Sequence, residues 1–157
     1  MGMYEKIIMG FALAARDVFK MMLDLETVII SQEPAIIPIR TNDEIVISIG
    51  LVGDIWGETY FYFPQETALE IVKMMSGMEV SKVDDFVISA LGEISNIISG
   101  NAATELSHQK ITCEILPPRI CFGNDNTMCA GNILKTINSI IQTSVGSLCV
   151  SVRLDNL

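Results

Sequence analysis

The clearest period of hydrophobic and polar positions in this chain runs through residues 84–109, DDFVISALGEISNIISGNAATELSHQ. Ser89 is set at zero, and each residue advances the helix by about 100°. Val87, Leu91, Ile94 and Ile98 then gather within about 80°, which is a core-facing stripe. Ser89, Glu93, Asn96 and Gly100 gather on the opposite side, within about 60° of one another. Gly92, Gly100 and Ala103 border or join this polar stripe and keep its profile low. The spacing predicts a helix opened by Asp84-Asp85, whose carboxylates suit the free amides and positive dipole of a helix N-terminus.

Other stretches follow either the helical or the strand period. Apolar residues at Ile7, Ile8, Phe11, Leu13, Val18 and Met22 predict an amphipathic helix over 4–23, with only Gly10 against it. Residues 26–38 are β-rich and carry two prolines, which suits a short edge strand. Residues 44–51 and 58–63 alternate around VGDIWG and predict a hairpin, with Trp56 expected to cover the end of the sheet. Pro64 stops that strand, Ala68, Leu69, Val72 and Met75 mark a second helix over 65–76, and Gly77 suits its C-cap.

After the central helix, 111–115 reads as a strand stopped by Pro117-Pro118, with 120–122 continuing it. Residues 123–131 (GNDNTMCAG) read as a loop. Residues 132–143 fit either period. Their latter half is read as a strand because Val145-Gly146 turns into SLCVSVRL, which alternates cleanly over 147–154. Three helices and about six mostly antiparallel strands, without one-for-one alternation, make an α+β fold with helices packed on one sheet. Residues 1–157 are expected to form a single domain, and Met1-Gly2 ahead of Met3 has the form of an expression scar.

Charge and composition narrow the function. A net charge of −9 with ten Lys and Arg and no basic run argues against nucleic acid, whose phosphates demand clustered cations. Half the chain is hydrophobic, yet no apolar run approaches the roughly twenty residues of a membrane span. With no signal-peptide pattern either, a cytoplasmic protein is expected. The nine methionines suit adaptable core packing. Cys113, Cys121, Cys129 and Cys149 form no CxxC pair, and His108 is the sole histidine, so the thiols are expected to act as small core hydrophobes and no metal site is predicted.

No nucleophile beside a base, GxSxG or phosphate loop is visible. His108, with Glu105 one turn back, reads as a surface histidine. What remains is Glu93 and Asn96 on one exposed stripe. Asparagine is a mediocre helix-interior residue, and Gly92 and Gly100 each cost roughly 1 kcal/mol against alanine. A well-formed helix weakened along one face suggests that the face has a use.

SALGEISNIISGNAATELS resembles the signature of the CheC/CheX/FliY phosphatases of bacterial chemotaxis: Asp or Ser, three residues, Glu, two residues, Asn, and a proline about twenty-two residues later. Ser89, Glu93 and Asn96 match in type and spacing, and Pro118 stands one residue closer than the usual gap. The resemblance extends to the first helix, the GDIWG hairpin and the final strands. The single motif is CheX-like, since 4–23 has no second Glu-x-x-Asn.

The resemblance implies a phosphatase acting on the aspartyl phosphate of a CheY-type response regulator, which itself supplies the Mg²⁺, so that this chain needs no cofactor of its own. In that reading Asn96 holds the attacking water and Glu93 pairs with the regulator's active-site lysine. Ser89, Gly92 and Gly100 support the site. It also implies a homodimer joined through sheet edges, for which the late apolar strands are suited. The alternative is a non-catalytic module on the same fold, as in flagellar switch relatives.

Overall fold

Seven antiparallel strands form one sheet in the computed structural model, which describes residues 2–34, 44–122 and 136–155. In chain order the elements are α1 (Met3–Leu23), β1 (Thr27–Pro34), β2 (Glu44–Gly53), β3 (Gly57–Pro64) and α2 (Gln65–Ser76), then α3 (Asp85–His108), β4 (Cys113–Ile115), β5 (Arg119–Phe122), β6 (Thr136–Thr143) and β7 (Gly146–Leu154). The sheet order is β1-β6-β7-β3-β2-β4, and β5 pairs with β2 beside β4. The α+β reading therefore holds. The predicted loop over 123–131 lies outside the described residues.

Alternation decides which face of the sheet the helices cover. Ile45, Ile47 and Ile49 of β2, Phe61 and Phe63 of β3 and Val150 and Val152 of β7 are fully buried, and they join one core with α1, α2 and α3. Burying a side chain of this size is worth roughly 1.5–3 kcal/mol, so the helical layer is held by many such positions. Helix α1 adds Ile7, Ile8, Phe11 and Phe19 to that core, and the Tyr4 hydroxyl donates to the Leu154 carbonyl at 2.9 Å. Gly10 is buried where a β-carbon would lie 3.6 Å from Leu106, so it marks the close approach of α1 and α3. The opposite face of the sheet holds a smaller cluster of Val46, Tyr60, Tyr62 and Cys149.

Several predicted signals appear as physical contacts. The Asp84 carboxylate accepts the Val87 amide at 3.1 Å and caps α3, and Gly77 takes a left-handed conformation (φ 69°) to cap α2. The β2–β3 hairpin forms in register, Leu51 opposite Gly57. Its tip is clamped to the chain leaving α3: the Asp54 amide donates to the Thr112 carbonyl, and the Thr112 amide returns to the Asp54 carboxylate, each at 2.8 Å. The clamp leaves no room at Gly53, where a β-carbon would sit 2.7 Å from the Thr112 carbonyl.

Three expectations need correction. The stretch read as one continued strand over 111–122 is two, β4 and β5, both bonded to the same edge of β2. Pro117 and Pro118 separate them, because proline offers no N–H to the ladder. The late strands β6 and β7 are interior, flanked by β1 and β3, so among the described strands the sheet edges are β1 and the β4–β5 side. Trp56 does not cover the sheet: 60% of it is exposed, and its carbonyl accepts the Asp155 amide at 2.7 Å.

Candidate functional site

Helix α3 lies over the β2 and β4 side of the sheet, in contact with α1 and α2, and its two stripes separate as the period requires. Val87, Leu91, Ile94, Ile98, Ala102 and Leu106 are all fully buried. Ser89 and Glu93 are exposed, and Asn96 and Gly100 are half-buried. Glu93 and Asn96 stand one turn apart, about 4.5 Å along the axis. No hydrogen bond or ion pair with another described residue ties down either side chain. A carboxylate and a carboxamide are thus held by a rigid, capped helix yet left to find partners elsewhere.

Gly92 departs from its predicted place. It is buried rather than part of the open stripe, because Pro118 sits over it: a β-carbon at Gly92 would be 3.8 Å from the proline ring. The chain from β4 to β5 runs antiparallel along this flank of α3, since Ile115 lies equally close to Gly100, at 3.9 Å. Pro118 therefore meets the motif helix directly. Its neighbour Arg119 donates to Glu58 of β3 across β2, and the fully buried Ser48 donates to the same carboxylate. That three-residue tether fixes β5, and with it the height of Pro118 beside the stripe. Sequence spacing singled out the proline; nothing local in the sequence identified Glu58, Ser48 and Arg119 as its anchor.

The glycine contacts make a test possible. At 3.8 and 3.9 Å, an added methyl would meet only ordinary packing at Gly92 and Gly100. Gly92→Ala and Gly100→Ala should each stabilise the fold by roughly 0.5–1 kcal/mol, since alanine loses less entropy in a helix. Urea unfolding checks this as a higher midpoint at unchanged slope. The contrast is Gly57, where a β-carbon would fall 1.8 Å from the Arg153 carbonyl oxygen. Glycine is needed there by the fold; at Gly100, half-buried on the stripe, it is not.

The other candidate groups stay apart from this site. His108 is exposed at the end of α3, its Nδ1 3.9 Å from Glu105. Cys149 is buried and Cys113 half-buried, and burial pushes the Cys113 thiol up to about 11, which leaves it protonated and unreactive. Cys129 lies outside the described residues. Among the described residues, no three His, Cys, Asp or Glu side chains are grouped to hold a metal ion, and no helix is long and apolar enough to cross a membrane.

Known proteins resemble this chain in both sequence and fold. A family profile described as chemotaxis phosphatase CheX matches residues 45–138. The CheY-P phosphatase CheX of Thermotoga maritima is 36% identical over 117 residues, which cover 73% of this chain and 76% of that protein. The crystal structure of a chemotaxis protein CheX from Desulfovibrio desulfuricans superposes with a TM-score of 0.78 at 20% identity, covering 95% of this chain and 99% of the other. The CheX chain of the CheX–CheY–BeF₃–Mg²⁺ complex from Borrelia burgdorferi gives 0.74 at 24% identity, with coverages of 95% and 97%.

Proposed function

Because this chain belongs to the family of the chemotaxis phosphatase CheX, we propose that it hydrolyses the aspartyl phosphate of a CheY-type response regulator by laying the α3 stripe across the regulator's phosphorylation site. The observation that carries the reading is the untethered pair of exposed Glu93 and half-buried Asn96, one turn apart on a buried-backed helix.

Phosphoryl transfer needs positioning and charge stabilisation more than covalent help. The regulator contributes the acyl phosphate and the Mg²⁺, which would balance the charge on the transferring group. From this chain, the Asn96 carboxamide oxygen accepts a hydrogen bond from a water and holds it in line with phosphorus. The water oxygen bonds to phosphorus as the bond to the aspartyl oxygen breaks, giving a carboxylate and inorganic phosphate. Ordering that water removes an entropic part of the barrier. Glu93 pairs with a lysine of the regulator's active site and fixes the dock. Ser89, one turn before Glu93, borders the contact. Gly100 keeps the helix surface low where the regulator backbone would approach, a use consistent with the room left beside it. Gly92 serves indirectly, by seating Pro118. We place the reaction in the cytoplasm, with two copies associated through a sheet edge, for which β1 offers exposed Val28 and Ile30.

The deciding experiment follows loss of phosphate from a Mg²⁺-loaded, phosphorylated CheY-type regulator with and without the protein. The expected result is acceleration by at least about tenfold, a barrier change of about 1.4 kcal/mol. Equal decay rates with the cognate regulator overturn the proposal. Tight binding of the phosphorylated form without turnover assigns a docking module instead.

A further inference from the structure

We propose that the regulator-facing surface is wider than the polar stripe and is gripped by two apolar side chains that flank it, Phe86 on α3 and Ile120 on β5. The inference rests on the docking of a phosphorylated receiver described above. It commits to that receiver as occupant, with apolar side chains bordering its phospho-aspartate as the groups that Phe86 and Ile120 cover.

Phe86 projects about 60° from Ser89 and about 20° from Glu93 around the helix, so it continues the same face two turns toward the N-terminus. It is 46% exposed, whereas its neighbour Val87 is fully buried. The helix is thus already anchored at this turn without the phenyl ring. Ile120 reaches the surface from a different element. It stands opposite Ile47, a core-facing residue, so its side chain points to the helical side of the sheet. At the sheet edge it remains 46% exposed. It lies two residues beyond Pro118, on the segment that follows α3 antiparallel from Ile115 at Gly100 to Pro118 at Gly92. Exposed apolar groups therefore stand on both sides of a polar stripe that holds one carboxylate and one carboxamide. An isolated exposed phenyl ring would need no explanation. Here two apolar groups from separate elements are continuous with the surface proposed above to contact the regulator, and apolar anchors beside a few polar contacts are how protein interfaces concentrate affinity.

The test separates binding from turnover. Steady-state dephosphorylation and binding to the Mg²⁺- and beryllofluoride-loaded regulator are measured for the wild type, Phe86→Ala, Ile120→Thr and, at an exposed position of α1, Met21→Ala. Phe86→Ala should raise both KM and Kd about tenfold, and Ile120→Thr about threefold to fivefold, with the loss in KM rather than kcat. Met21→Ala should move neither. Thermal unfolding within a few degrees of the wild type accompanies the expected result, and because Ile120 lies off α3, its variant repeats the test should Phe86→Ala disturb the helix. Unchanged KM and Kd in both variants, or an equal rise in Met21→Ala, overturns this inference while leaving phosphatase activity intact. A wild type that neither binds nor dephosphorylates the regulator sinks the functional reading itself.

Discussion

Replacing Asn96 by alanine should abolish acceleration of phosphate loss while leaving the protein folded and bound to its regulator. The expected fall in kcat is on the order of 100-fold, the scale set by removing one group that orients a reactant in a transition state. KM should change little, because the amide contributes to the water's geometry more than to the dock. The structure argues against unfolding as the cause of any loss. Asn96 is half-buried, makes no hydrogen bond to another described residue, and sits in a helix whose apolar face is complete without it. Alanine is also the better helix former, so stability should hold or rise by a few tenths of a kcal/mol. Single-turnover phosphate release beside thermal unfolding checks both statements. A variant that unfolds, or one that retains wild-type kcat, removes Asn96 from the reacting centre. Asn96→Asp sharpens the comparison: it keeps the size and an acceptor oxygen but sets a negative charge beside the phosphoryl group, and should be as slow as alanine.

How far this site could be read from the sequence depends on which interactions are local. Helix α3 was legible because its signals lie within one stretch: an apolar stripe from Val87 to Ile98, about three turns, and a carboxylate three residues before the amide that it caps. The strand in the latter half of 132–143 was legible because Val145-Gly146 closes a tight turn into β7, and the register pairs Thr143 with Gly146.

Sheet order was not legible in the same way. Strand β1 joins β6 across more than a hundred residues, which places β6 and β7 inside the sheet; no local period encodes that pairing. The same limit hid the environment of Gly92. A wheel puts it beside the polar stripe, but Pro118 arrives from the connection between β4 and β5 and packs over it. The 60% exposure of Trp56 was likewise not legible, because how far a hairpin-tip side chain is covered depends on chain packed there from elsewhere, as Thr112 is against Asp54. The candidate polar residues were thus readable one by one, while the apolar and packing groups around them depend on tertiary contacts.

Replacing Glu93 should produce the opposite kinetic signature to Asn96, and the contrast tests the division of labour along the stripe. Glu93 is exposed and unpaired within the described chain, so Glu93→Ala should leave stability within about 0.5 kcal/mol of the wild type. Removing its partner from a lysine that becomes desolvated in the docked complex costs on the order of 2–3 kcal/mol, so KM for the phosphorylated regulator should rise roughly 30- to 150-fold. Glu93→Gln keeps an acceptor and should fall between, whereas Glu93→Lys brings two cations together and should lose measurable binding. Ionic strength separates charge from shape, since salt screens exposed pairs: the wild-type KM should rise with salt, and that of Glu93→Gln should rise less. Saturating regulator gives the decisive reading. If docking is the role of Glu93, kcat of Glu93→Ala recovers toward the wild type as the regulator concentration rises, whereas Asn96→Ala stays slow at any concentration. A Glu93→Ala variant with unchanged KM and depressed kcat would instead move the carboxylate into the reacting centre beside Asn96.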